Sequence, residues 1–198
     1  MNQTIALPEI TPDDFLRMPG REHYELLDGR LVERHVSTWS SYVAGVVFAI
    51  LNDFCRAHHA GWMFPEGTSY QCFPFAPNRV RKPDTSFIRL ERLSAAQAME
   101  GGHIRVTPDL AVEVVSPNDL ACEVEEKLLE YLNANVPLVW VVYPQSRTVH
   151  VYHPDGLGRL LREQDELTGE NILPGFRFPV RDLFVPPTPP TANGGPAA

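Results

Sequence analysis

A carboxylate in an apolar segment is the clearest chemical signal in this sequence. Glu113 lies in LAVEVV, residues 110–115, and the hydrophobicity of this segment is typical of a buried strand. An unpaired buried carboxylate costs several kcal/mol, so a buried Glu113 needs a partner or a function. The alternative is a strand that alternates and exposes Glu113 to solvent, although Ala111 and Val115, which share its face, are apolar.

A second acid, Asp84, follows Pro83 in the strand-like segment VRKPDTSFIRL, residues 80–90. On a strand, Lys82 and Asp84 would point to the same side, so an acid and a cation would be neighbours there. Two other interpretations remain open. The Pro-Asp pair is also typical of a turn, and the basic residues around it would equally suit a solvated sheet edge.

The segment 119–134 has the charge and apolar spacing of an amphipathic helix. Glu123, Lys127 and Tyr131 follow one another at intervals of four residues, so they form one stripe along this helix. An ordinary surface ion pair between Glu123 and Lys127 would explain the spacing without any function. If the stripe instead faces the strand of Glu113, it would bring a lysine to a buried carboxylate.

The N-terminal part of the chain predicts a helix, a hairpin and a longer helix. Thr11 followed by Pro12 is a typical helix start. Asp28-Gly29 between two apolar runs predicts a tight hairpin, which pairs Leu27 with Arg30 and Glu25 with Val32. The next helix would begin at Ser37 or Thr38, end near His58 and be closed by Gly61.

The rest of the chain alternates between strands and helices. Apolar strands at 109–115 and 137–143 flank the helix at 119–134. Two strands of one sheet joined by a helix are expected to be parallel. The sequence therefore predicts an α/β fold, with a central mixed sheet flanked by helices and an N-terminal hairpin. Further elements are predicted as strands near 62–64 and 80–90, a helix at 94–100 and a hairpin beginning at 148–154.

The composition narrows the class of protein. The chain has 198 residues, a formal charge of −8 and 43% hydrophobic residues, which predicts one domain over residues 1–185 and excludes a wholly disordered chain. Residues 186–198 are rich in proline and uncharged, so they predict a disordered tail. No apolar run is long enough for a membrane span, and no secretory signal opens the sequence, so we expect a soluble, cytoplasmic protein. Three scattered cysteines argue against a disulfide scaffold.

Taken together, these segments resemble the Uma-type restriction endonuclease family, which has the restriction-endonuclease-like fold of the PD-(D/E)xK nucleases. The resemblance runs from Tyr24 to Tyr152. Its most specific part is RKPD at 81–84, PDLAVEVVSPND at 108–119 and EEKLLEYLNANVPLVWVVYP at 125–144.

The resemblance implies a metal site and a set of catalytic residues. Asp84 and Glu113 would bind Mg²⁺ or Mn²⁺, with the backbone carbonyl of Val114 as a further ligand. The usual lysine two residues after the glutamate is absent, because Val115 stands there. The family's substitute is a lysine on the following helix, which corresponds to Lys127.

Two further residues belong to this expectation. Lys82, close to Asp84 in the sequence, is a rival for the role of the catalytic lysine. The family's early acid corresponds best to Glu25 in the segment YELLDG.

Three functions follow from these observations. The leading one is an endonuclease that hydrolyses DNA phosphodiester bonds with a divalent metal. The second is a nuclease-fold protein that binds nucleic acid or a protein partner without cutting, which the acidic charge and the missing lysine favour. The third is a structural homodimer, since symmetric pairs are the commonest oligomers and would also help an enzyme that cuts both strands.

Overall fold

A short helix, a hairpin and a long helix form the N-terminal part of the chain, as predicted. The computed structural model describes residues 9–187, so the predicted tail at 186–198 lies outside the described residues except for its first two. The elements are α1 at Pro12–Arg17, β1 at Tyr24–Leu27, β2 at Arg30–Glu33 and α2 at Thr38–His58. The hairpin pairs Leu27 with Arg30 and Glu25 with Val32, which confirms the predicted register.

A six-stranded mixed sheet forms the centre of the fold. The elements of this part are β3 at Gly61–Pro65, β4 at Thr85–Arg89, α3 at Ala95–Met99, β5 at Leu110–Val114, α4 at Ala121–Asn133, β6 at Leu138–Tyr143, β7 at Thr148–Tyr152 and β8 at Gly158–Leu161. The strand order is β3-β4-β5-β6-β7-β8. Strands β5 and β6 are parallel, as predicted for two strands joined by a helix, and the other neighbouring pairs are antiparallel.

Helices cover the two faces of this sheet. On one face, α2 packs its buried side chains against β4, β5 and β6, together with a second hairpin, β9 at Glu166–Gly169 and β10 at Leu173–Pro179, and a helical turn at Val180–Phe184. On the other face, α4 buries Tyr131 against Ala111, Val139 and Val141. Because both faces are covered, all five residues of β5 are buried, including Glu113.

Two local expectations need correction. Gly61 does not close α2. His59 does so in the left-handed conformation, at φ 51°, and Gly61 instead begins β3, where its lack of a side chain lets the backbone approach Ile88. The strand predicted within 80–90 is shorter, because β4 begins at Thr85. Pro83 precedes it, at the strand end where a proline is expected because it cannot donate a ladder hydrogen bond.

Candidate active site

Side chains that are far apart in the sequence meet beside the C-terminal end of β5. Glu25 of β1, Asp84 just before β4, Glu113 of β5 and Lys127 of α4 line one cleft of about 220 Å³. The hairpin reaches this cleft because Leu26 exchanges backbone hydrogen bonds with Val80, at 3.0 and 2.8 Å. The structure thus brings together the site residues predicted from the sequence.

Asp84 is fixed to β5 by its backbone and its side chain. Its amide donates to the carbonyl of Val112 at 3.0 Å, and its Oδ2 accepts from the amide of Val114 at 2.7 Å. Its other oxygen, Oδ1, accepts from Arg34 Nη2 at 2.8 Å. Burial and the negative charge of Glu113 raise the pKa of Asp84 to about 7, although Arg34 opposes this shift.

Glu113 is 7% exposed, so the interpretation that placed it on a solvated face is wrong. Its Oε1 accepts from the Tyr131 hydroxyl at 2.7 Å, and its Oε2 lies 3.3 Å from Lys127 Nζ. Burial raises the pKa of Glu113, the charge of Lys127 opposes the shift, and the charge of Glu25 adds to it. A buried carboxylate with a raised pKa is a frequent mark of a functional site.

Lys127 bridges two carboxylates. Its Nζ lies 3.3 Å from Glu113 Oε2 and 3.4 Å from Glu25 Oε1, and its side chain is 19% exposed. Burial disfavours its charge, but the nearby acids outweigh burial and raise the pKa of Lys127. Lys127 therefore stays protonated, and its partners are these buried acids rather than Glu123 on the helix surface.

Glu25 is buried between cations. It accepts from Arg81 Nη1 at 2.9 Å and from the amide of Lys82 at 2.8 Å, in addition to its contact with Lys127. Burial alone would raise the pKa of Glu25, but the charges of Lys127 and Arg81 reverse this effect and lower it. Glu25 therefore stays ionised and, together with Glu113, holds Lys127 in place.

A network of buried ion pairs supports Glu25. Arg81 donates to Glu130 of α4 through Nε and Nη2, both at 2.6 Å, and Arg79 contacts Glu130 and Asp28. Arg81 is only 2% exposed, so its interpretation as part of a solvated edge is wrong. The network joins the first hairpin, the segment before β4 and helix α4, which are the elements that carry the cleft.

Lys82 is turned away from the carboxylates. Its Nζ donates to the carbonyl of Arg21 at 2.5 Å and lies 5.0 Å above the ring of Phe15. Burial lowers the pKa of Lys82 to about 8. Of the two candidate catalytic lysines, Lys127 is the one whose ammonium contacts Glu25 and Glu113.

Sequence reasoning missed Arg34, which binds Asp84 and also donates to Glu66 at 3.0 Å. A signal for it was present in the hairpin. Val32 is directly opposite Glu25, and residues directly opposite each other share one face of the sheet. Because alternate residues of a strand share one face, Arg34, two residues after Val32, is expected on the same face as Glu25. Glu66 and Glu130 had no comparable local signal.

Comparison with known proteins identifies the family. The sequence model of the Uma2 family, described as "Putative restriction endonuclease", matches residues 12–181. The chain belongs to the Uma2 family. A search of curated proteins gives no match.

The Uma2 assignment agrees with the fold. The chain is similar to the crystal structure of "a putative nuclease belonging to DUF820" from Anabaena variabilis, with a TM-score of 0.73 and 21% sequence identity. The similarity covers 88% of this chain and 97% of that one, so it extends over the whole fold. Within residues 9–187, each helix of this Uma2 protein is too short or too polar to cross a membrane.

The Uma2 cleft offers hard oxygen donors for a divalent cation. Glu113 is buried and Asp84 is half-buried in the cleft wall. The charge of Glu113 raises the pKa of Asp84, and the charge of Glu25 raises the pKa of Glu113, so a divalent cation would relieve the repulsion among these acids. Among residues 9–187 there is no group of three or more acidic, histidine or cysteine side chains arranged around a metal position. The two carboxylates present, Asp84 and Glu113, are the kind of oxygen donor that Mg²⁺ takes from a protein.

Proposed function

We propose that this Uma2 protein is an endonuclease that hydrolyses DNA phosphodiester bonds with Mg²⁺ or Mn²⁺ held by Asp84 and Glu113. The observation that carries the proposal is the contact between the buried Glu113 and the ammonium of Lys127, in the same cleft as Asp84. Two acids and a protonated lysine in one cleft are the groups that metal-assisted phosphodiester hydrolysis requires. The family assignment supports the same chemistry.

Asp84 and Glu113 would be the side-chain ligands of the metal, and Val114 would add its carbonyl. In a strand, the N–H and C=O of one residue face the same neighbour, and the Val114 amide faces Asp84. The Val114 carbonyl therefore faces the same side as Asp84, where it could act as a further ligand of the proposed metal. When bound, the ion supplies positive charge to the phosphate and favours deprotonation of the attacking water.

Lys127 would stabilise negative charge rather than accept a proton, because neighbouring acids raise its pKa. Its ammonium stands beside Glu113 Oε2, so it would face the phosphate held at the same carboxylate. Tyr131 would position Glu113 by its hydrogen bond to Oε1, and Glu25 would position Lys127. In this account, Glu25 acts through Lys127.

A cleavage assay tests the proposal. Purified protein is incubated with supercoiled plasmid and with single-stranded DNA and RNA, in Mg²⁺, in Mn²⁺ and in a chelator. We expect DNA cleavage that the chelator abolishes, with Asp84→Asn at least about a hundredfold slower, the usual scale for one positioned electrostatic group. Cleavage that survives both the chelator and Asp84→Asn would overturn the proposal.

A second candidate is a Uma2 protein that binds nucleic acid or a protein partner without cutting. The observation that favours it is the ion pair between Arg34 and Asp84, which places a fixed cation on a proposed metal ligand. Tight DNA binding without cleavage in any metal would support this candidate. A homodimer in the cytoplasm remains our expectation for either function, and sedimentation tests the oligomeric state.

A further inference from the structure

Arg34 is held between two acids at the wall of the cleft. It follows β2 directly, its side chain is 7% exposed, and its two terminal nitrogens contact Asp84 at 2.8 Å and Glu66 at 3.0 Å. Within the described residues, its Nε has no hydrogen-bond partner. The guanidinium is thus anchored at two points but incompletely satisfied, so its displacement would cost less than the loss of a full set of hydrogen bonds.

Arg34 contacts one of the two carboxylate oxygens of Asp84. Asp84 Oδ2 accepts from the amide of Val114, and Oδ1 accepts from Arg34 Nη2 at 2.8 Å. A divalent cation bound by the same carboxylate would lie close to the guanidinium, and positive charges repel each other strongly at such a distance. The guanidinium and the cation would therefore compete for Asp84.

We propose that Arg34 is a displaceable counter-ion that competes with the divalent cation for Asp84 and withdraws towards Glu66 when the cation binds. This inference rests on the proposed function, because it takes Asp84 as a metal ligand. Glu66 is 40% exposed at its side chain, so it lies nearer to solvent and can keep the guanidinium outside the metal position. The consequence is that the protein alone binds its metal weakly.

Calorimetric titration of Mn²⁺ into the protein without nucleic acid tests this inference. We expect Arg34→Gln to bind Mn²⁺ at least about tenfold more tightly than the wild type, because a positive charge is removed from beside the ion. Arg30→Gln is the matched control, since it removes the same charge from an exposed position of the same hairpin. Its affinity should equal that of the wild type.

Thermal unfolding gives a second readout. Mn²⁺ should raise the melting temperature of Arg34→Gln more than that of the wild type at the same concentration, because a tighter ligand stabilises the folded state more. If Arg34→Gln does not fold, Arg34→Lys replaces it. A single ammonium cannot bridge Asp84 and Glu66 as the fork of arginine does, so this variant should also bind Mn²⁺ more tightly, by a smaller factor.

The outcomes separate this inference from the proposed function. If Asp84→Asn abolishes Mn²⁺ binding and the Arg34 variants bind no more tightly than the wild type, the competition is refuted and the metal site stands. If Asp84→Asn binds Mn²⁺ like the wild type, the metal site itself is refuted. Failure of the wild type and of every folded Arg34 variant to bind Mn²⁺ would refute both.

Discussion

Lys127→Met should destabilise the folded protein strongly at neutral pH. The ammonium of Lys127 lies 3.3 and 3.4 Å from two buried carboxylates, and each contact is worth about 5 kcal/mol at an effective dielectric constant of about 20. The desolvation of the ammonium offsets much of this, and removal of one partner from a buried pair typically costs about 3–5 kcal/mol. For a domain of this size that corresponds to a fall of about 6–20 °C in melting temperature.

The pH dependence of this loss identifies its cause. Without Lys127, the pKa values of Glu113 and Glu25 should rise in the folded protein, because their main compensating charge is gone. An acid whose folded pKa is raised destabilises the folded state as the pH rises through that pKa. The difference between the wild type and Lys127→Met should therefore shrink on acidification, as both acids become protonated.

Melting curves followed by circular dichroism at several pH values measure this effect. Glu125→Met is the matched control, because Glu125 is exposed on the same helix and receives the same new side chain. The double variant Glu113→Gln with Lys127→Met should recover part of the stability, since it removes both members of one pair. Equal melting temperatures for Lys127→Met and Glu125→Met at neutral pH would refute the buried bridge.

Three more predictions follow from the described contacts. The stability of the metal-free wild type should fall as the pH rises through about 7, where Asp84 loses its proton in the folded state. Asp84→Asn should lose this part of the pH dependence, which melting temperatures at several pH values measure. Glu130→Gln should cost about 3 kcal/mol in urea unfolding, because it removes the charge that accepts two hydrogen bonds from Arg81, and an unchanged midpoint would contradict this. Gly61→Ala should cost about 1–3 kcal/mol in the same assay, because an added Cβ would overlap with the carbonyl oxygen of Ile88. Wild-type stability of this variant would contradict the prediction and show that β3 and β4 can move apart there at no cost.

Local signals in the sequence were sufficient to predict the elements that carry Glu25, Glu113 and Lys127. The Asp28-Gly29 turn determines the hairpin register, and the register places Glu25 opposite Val32. The apolar runs on both sides of α4 likewise predict two parallel strands, and those strands bring Glu113 under Lys127. In each case the decisive interaction is close along the chain or follows from one periodicity.

The remainder of the site depends on tertiary contacts. Arg34 is 50 residues from Asp84, and Arg81 is 49 residues from Glu130, so no spacing rule links either pair. A basic residue before β4 has the same local pattern whether it is solvated or buried in an ion pair. The hairpin of β9 and β10 was not predicted either, because its register shifts between Leu173 and Arg177 and interrupts the regular alternation that marks a hairpin.

The rate at which Glu113→Gln cleaves supercoiled plasmid in Mn²⁺, relative to the wild type, tests the central claim most directly. The substitution keeps the volume of the side chain and an oxygen acceptor for the Tyr131 hydroxyl, but it removes the charge that would hold the metal. We expect a folded variant, with cleavage slowed at least about a hundredfold. Cleavage at the wild-type rate by this variant would contradict a phosphodiesterase site at Asp84, Glu113 and Lys127.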